Sequence, residues 1–127
     1  MNENKKENDF NKNDLTGYEN AKDSQFIELS DLFQDQALKS SVRLLILILL
    51  ALNKRLGFTE LLEIIGTGKG SLSNHIDKLV MNGYAKTKTI LTLSGPRKVV
   101  EITEKGMQVY EKYLMIMEKL NKNIARS

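Results

Sequence analysis

The sequence predicts a mainly α-helical domain that carries one small β-hairpin. Two observations predict it. From residue 25 onward apolar residues recur at helical spacings, and the period changes to alternation in one place, Tyr84 to Ile102, where two runs are divided by Ser94-Gly95-Pro96. At 127 residues with 41% apolar content, the chain suits one compact domain and not comfortably two. It has no cysteine, which removes disulfides, thiolate metal sites, thiol nucleophiles and thiol redox switches, and which suits a reducing, cytoplasmic setting. A net charge of +3 is too small to argue for nucleic acid by itself.

The first 24 residues hold six asparagines, four lysines and six acids, for a net charge of −2, with Phe10, Leu15 and Tyr18 as scattered apolar residues. That is too little apolar surface to repay ordering, so residues 1–24 are expected to be a disordered polar tail ahead of a domain over 25–127. The tail lacks the apolar run of a signal peptide. Phe26 to Phe33 (FIELSDLF) is expected to be a short helix, because Ile27, Leu29, Leu32 and Phe33 need burial.

Val42 to Leu52 contains nine consecutive apolar residues from Leu44, well short of the roughly 20 needed to span a membrane. Arg43, Lys54 and Arg55 bound the run, Ser40 and Ser41 offer an N-cap, and Gly57 offers a stop, which together predict a helix from Gln36 to Arg55. It is apolar nearly all round, so burial on two sides is expected, with Leu45 and Leu49 as candidates to meet a second copy of the chain.

Thr59 can cap a next helix that turns Leu61, Leu62, Ile64 and Ile65 inward, and Gly66 to Gly70 (GTGKG) is a glycine-rich turn. From Ser71 to Asn82, Leu72, Ile76, Leu79 and Val80 share one face, and Gly83 ends the helix. The opposite face carries Ser71, Asn74, Lys78 and Met81, with Ser73, His75 and Asp77 on its flanks. Two short helices joined by a tight turn, the second exposing Ser, Asn and Lys, make a helix-turn-helix pattern. Tyr84 to Leu93 and Arg97 to Ile102 form the hairpin, with Lys86 and Lys88 on one face and Arg97 and Lys98 beside its tip. Thr103 caps a last helix running to about Asn123. That helix has two apolar stripes, Met107, Tyr110, Leu114, Met117 and Val109, Tyr113, Ile116, Leu120. One is expected to pack on its own domain and the other, Met107, Tyr110, Leu114 and Met117, on a partner chain.

Over Val42 to Gly106 the chain resembles the winged helix-turn-helix transcriptional regulators of the ArsR/MarR-like kind. The matching segments are VRLLIL, FTELLEIIG, GSLSNHIDKLVMNGY and ITEKG, in that order. The third reproduces the family's Leu-Ser-x-His-Leu-x-x-Leu pattern followed by Gly-Tyr, with Ile76 standing where the family has its second leucine. The resemblance implies a winged helix-turn-helix with N- and C-terminal dimerisation helices, a recognition helix at about 70–82, a wing at about 84–102, and sequence-specific binding of duplex DNA by a homodimer.

Charge placement agrees. Residues 66–98 hold six basic side chains against Asp77 alone, whereas nine bases meet nine acids in the rest of the chain after residue 24. Ser71, Ser73, Asn74 and Lys78 are the candidates to reach base edges in the major groove. The amides near Gly70 and Ser71, reinforced by Lys69, suit a phosphate oxygen. Arg97 is the candidate for the minor groove, with Lys86, Lys88 and Lys98 on backbone phosphates. His75, the one histidine, is read as a packing residue able to donate a hydrogen bond to backbone or DNA. No paired carboxylates, metal-ligand spacing or P-loop spacing is present, so neither an enzyme nor a cofactor is expected. Met107, Tyr110 and Tyr113 are read as plain core, and a small apolar effector near them at the dimer interface is left open by the sequence. The competing reading is a winged-helix module that meets another protein instead of DNA.

Overall fold

The computed structural model describes residues 24–125, with side chains over 27–124, so the expected polar tail lies outside the described residues except for Ser24, which opens the first helix. Five helices and three strands follow in the order α1 (Ser24–Leu32), α2 (Ser41–Asn53), β1 (Arg55–Gly57), α3 (Phe58–Ile65), α4 (Lys69–Met81), β2 (Ala85–Thr92), β3 (Gly95–Ile102) and α5 (Glu104–Ala125). The strands form one antiparallel sheet in the order β1-β3-β2.

The core is built from the inward positions of three helices and one sheet face. Ile46, Leu47 and Leu50 of α2 meet Leu61 of α3, Leu72, Ile76 and Leu79 of α4, Tyr84 just before β2, and Ala85 and Val100 of the sheet. Each helix therefore buries most of the stripe that its spacing assigns. Ile64 and Val80, both expected inside, are exposed. Ile64 lies near the end of the eight-residue α3 and Val80 in the last turn of α4, so each helix presents a narrower apolar face than the spacing suggested.

The long helix expected from Gln36 to Arg55 is shorter at both ends. Asp35 accepts the Ala37 N–H at 2.8 Å and shapes residues 35–38 into a turn, after which Ser40 caps α2 by accepting the Arg43 N–H. At the other end Lys54 takes a left-handed φ of 70°, and the chain leaves as β1 instead of continuing to Gly57. Gly57 pairs with Val99 across the sheet, so the expected two-stranded hairpin is a three-stranded sheet. Gly57, not Thr59, precedes α3, and Glu60 reaches back to accept the Gly57 N–H at 3.1 Å.

The end of α4 and the start of α5 are one junction. Gly83 adopts φ 79°, its N–H donating to the Val80 carbonyl and that of Tyr84 to the Leu79 carbonyl, a Schellman closure of α4. The Thr103 hydroxyl donates to the Gly83 carbonyl at 2.5 Å and accepts the Gly106 N–H at 3.0 Å, capping α5 as expected. Lys105 donates to the Asn82 carbonyl at 3.0 Å and lies over the Tyr84 ring. Gly106 is buried, and a Cβ there would overlap the Tyr84 carbonyl and stand 2.9 Å from Ile102 Cγ1.

The two stripes of α5 separate as the spacing predicts for one domain. Ile116 is buried, Val109 packs on the core, and Tyr113 meets Phe33 edge-on at 6.0 Å between ring centroids, which holds the end of α1 against α5. On the other stripe Met107 and Tyr110 are half-covered, and Leu114 and Met117 are exposed. On α2, Leu45 and Leu52 are exposed, whereas Leu49 packs largely on its own core.

Gly106→Ala is expected to cost about 3 kcal/mol or more in urea unfolding, because backbone and not a movable side chain fills the space. Gly70→Ala, where nothing lies within 4 Å of the new methyl, is expected to leave stability equal or slightly raised.

Candidate nucleic-acid interface

α3, the turn Gly66 to Gly68 and α4 form the helix-turn-helix. Gly66 ends α3 at φ 76°, and Gly68 precedes α4 in an extended conformation. The Leu72 N–H bonds back to the Gly68 carbonyl, so the amides of Lys69, Gly70 and Ser71 are the first-turn donors that α4 itself does not satisfy. Lys69, Gly70, Ser71, Asn74 and Lys78 are all exposed, as a base- or phosphate-reading face requires, and Ser73 is half-buried on its flank. Among the described residues Lys69 and Lys78 have no ion-pair partner.

The register of the sheet assigns the wing residues to faces. Lys86 stands opposite Glu101, Lys88 opposite Val99 and Arg97 opposite Ile90, which places Lys86, Lys88 and Arg97 on one face. Lys98 falls on the other face with Val100, and its ammonium lies 5.4 Å from the centre of the Phe58 ring. A shallow cleft of about 260 Å³, lined by Gly57, Phe58, Thr59, Pro96, Arg97 and Lys98, lies between the start of α3 and the wing. Arg97 has no ion-pair partner among the described residues.

Lys86 and Lys88 are not free cations. Glu101, its side chain only 16% exposed, stands 3.1 Å from Lys88, 3.8 Å from Lys86 and 3.5 Å from Arg55. The hydrogen bond from Lys88, with the charges of Lys86 and Arg55 behind it, holds the Glu101 carboxyl below its ordinary range. The cluster keeps a net positive charge, since three cations share one carboxylate. Glu101 lies just beyond the segment whose charge the sequence singled out, and the cross-strand register was needed to find it.

The sequence also missed how α4 is held from behind. Arg43 is 7% exposed, and its Nε donates to the Ala37 carbonyl at 2.8 Å and one Nη to the Gln36 carbonyl at 2.7 Å. Its other Nη lies 3.3 Å from Nδ1 of His75 on α4. Arg43 precedes Ile46 and Leu47 by three and four positions, so its place on the inward face of α2 was open to a wheel projection. Nearby, the Tyr84 hydroxyl donates to the Asp35 carboxylate, and burial together with that bond pushes the phenol up to about 12. The turn before α2 is thus tied to α4 and to Tyr84, just beyond the end of α4.

Residues 42–121 match the sequence model of a family described as the winged helix DNA-binding domain. The chain belongs to that winged-helix family. An uncharacterized protein of Methanocaldococcus jannaschii is 32% identical over 85 residues, covering 67% of this chain and 92% of the relative. Among solved structures, a transcriptional regulator homologue from Pyrococcus horikoshii OT3 superposes with a TM-score of 0.67 at 30% identity, over 76% of this chain and 96% of that one. A regulator assigned to the MarR family from Enterococcus faecalis V583 shares the fold, with a TM-score of 0.64 at 16% identity over 83% and 94% of the two chains. The ordered motifs from VRLLIL to ITEKG thus identify a winged-helix chain of the transcriptional-regulator type. No helix among the described residues is long and apolar enough to cross a membrane.

In this winged-helix domain burial, the Arg43 guanidinium and the Lys78 ammonium lower the pKa of His75 from 6.5. The unfolded chain therefore takes up this proton first, and the stability that neutral His75 contributes is full above pH 6.5 and lost as the pH falls through that value toward the folded one. Thermal melts are expected to show a falling Tm between about pH 7.5 and 5.5, and His75→Gln should flatten that dependence.

Proposed function

We propose that this chain is a homodimeric transcriptional regulator that binds specific duplex DNA, with α4 in the major groove and the wing on the minor groove or backbone. The observation that carries the reading is the common exposure of Lys69, Ser71, Asn74, Lys78 and Arg97, with the three cations unpaired among the described residues. Uncompensated cations beside exposed hydrogen-bonding groups are what phosphate attraction combined with base reading requires. Asn74 suits adenine and Lys78 guanine, while the first-turn amides of α4 suit a phosphate oxygen. Lys86 and Lys88 act as part of a cluster attenuated by Glu101, and Lys98 acts from its place over Phe58.

The outward stripe of α5, exposed at Leu114 and Met117, supports a second copy of the chain as partner. Leu45 of α2 is a further exposed candidate, and Leu49 offers little surface beyond its own core. Two α4 helices about one DNA turn apart would read a pseudo-palindromic site.

One observation favours a protein partner instead. Leu91 and Leu93 at the wing tip are almost wholly exposed, and leucine contributes nothing to phosphate attraction. Selection of duplexes from a random pool at rising salt separates the readings. A recovered pseudo-palindrome supports the regulator, and absence of salt-sensitive binding supports the protein-interaction module.

Lys69→Ala and Arg97→Ala are each expected to lower the salt slope of binding by about one, and Asn74→Ala or Lys78→Ala to relax discrimination at one base pair by about 1–3 kcal/mol. Glu101→Gln is expected to tighten binding and steepen the slope while leaving the chain folded, since its three cationic partners are themselves largely exposed. Sedimentation is expected to show a dimer that Leu114→Glu converts to a folded monomer.

A further inference from the structure

Arg43 bears on DNA recognition through His75, an inference that rests on the DNA-binding reading above. A guanidinium carries only donors, so the ring nitrogen that meets Arg43 must present a lone pair. The Arg43 side chain cannot turn aside without abandoning the Ala37 and Gln36 carbonyls, which it binds at 2.8 and 2.7 Å. His75 Nδ1, 3.3 Å from Arg43, is therefore an acceptor, and the proton of the neutral ring resides on Nε2. The ring is half-buried, and Nε2 has no partner among the described residues. His75 stands next to exposed Asn74 and within one turn of exposed Ser71 and Lys78.

We propose that Arg43 locks His75 in the Nε2–H form and so makes it an uncharged hydrogen-bond donor, held at the flank of α4 to meet a phosphate oxygen on the wall of the major groove. The flank is the argument for phosphate, because the centre of the exposed face, Ser71, Asn74 and Lys78, is the part directed at base edges. Arg43 from α2 and Lys78 from α4 are the cations acting on His75, and both oppose its protonation. The contact thus supplies direction without adding charge. Arg43 is the positioning residue and His75 the contacting one.

His75 is the chain's single histidine, so a long-range proton–nitrogen spectrum of the uniformly ¹⁵N-labelled full chain reports one imidazole. Without DNA it should show Nε2 protonated and Nδ1 bare at pH 7.5; the opposite tautomer overturns the proposal. Binding is then measured on a random-sequence duplex and on a duplex selected by the wild-type chain. His75→Asn keeps an acceptor within reach of Arg43 and loses the distal donor. It should weaken binding roughly ten-fold on both duplexes, with the salt slope unchanged. His75→Gln, which restores a distal N–H, should recover most of that loss. Undiminished binding by His75→Asn overturns the proposal, as does a loss confined to the selected duplex or a salt slope lowered by about one, which would mark a base contact or a charged histidine. Failure of the wild-type chain to bind either duplex would overturn the DNA-binding reading itself, a result independent of the tautomer spectrum.

Discussion

The rest of the structure depends on the close approach of Gly106 to the Tyr84 carbonyl. With no side chain at position 106, the first turn of α5 lies directly on the backbone that leaves α4, and Thr103 bridges the two by one hydrogen bond to the Gly83 carbonyl and another from the Gly106 amide. Tyr84, held in this contact, sends its hydroxyl to Asp35, whose other carboxylate oxygen shapes the turn before α2. The same turn supplies the carbonyls that hold Arg43, and Arg43 meets His75 on α4. A closed circuit of short contacts therefore fixes α4 at its C-terminal end through α5 and at its middle through α2. The residues that face outward owe their placement to this circuit and not to contacts among themselves.

Two kinds of electrostatics operate side by side. On the sheet Glu101 gathers Arg55, Lys86 and Lys88 into a cluster that limits mutual repulsion at the base of the wing. On α4 and at Arg97 the cations have no such counterweight among the described residues, and like-charge repulsion is avoided by separation. A nucleic acid would thus meet a surface whose central and distal charges are available at once and whose basal charges must first be drawn from a carboxylate.

Much of this was legible in the residues. The inward stripe of α4, its left-handed stop at Gly83, the Thr103 cap and the two stripes of α5 follow from spacing and from the chemistry of single residues. What escaped had no local signal. β1 has three residues, too few to show alternation, and it exists because Lys54 takes a left-handed conformation that no lysine advertises. Arg43 reads in one dimension as the polar edge of an apolar run, and it is a core residue because residues 35–38 fold back to offer it carbonyls. The partnership of Glu101 with Lys86 and Lys88 depends on strand register, a long-range property. The candidate face of α4 was therefore readable from one helix, while the devices that hold that face and moderate the wing required the tertiary fold.

β1 also grades the stiffness of the wing. It pairs only with Val99, Val100 and Glu101, so the base of the hairpin is three strands wide, while its outer part, including Arg97, is a two-stranded ribbon. Pro96 sits in that outer part, where β3 has passed beyond β1 and an absent N–H leaves no rung of the sheet unmade on that side. A beam clamped at one end deflects most at its free end, and isolated two-stranded ribbons are the most compliant form of sheet. The wing is thus built as a cantilever rooted in the core, stiffest where β1 backs β3 and most compliant toward its tip.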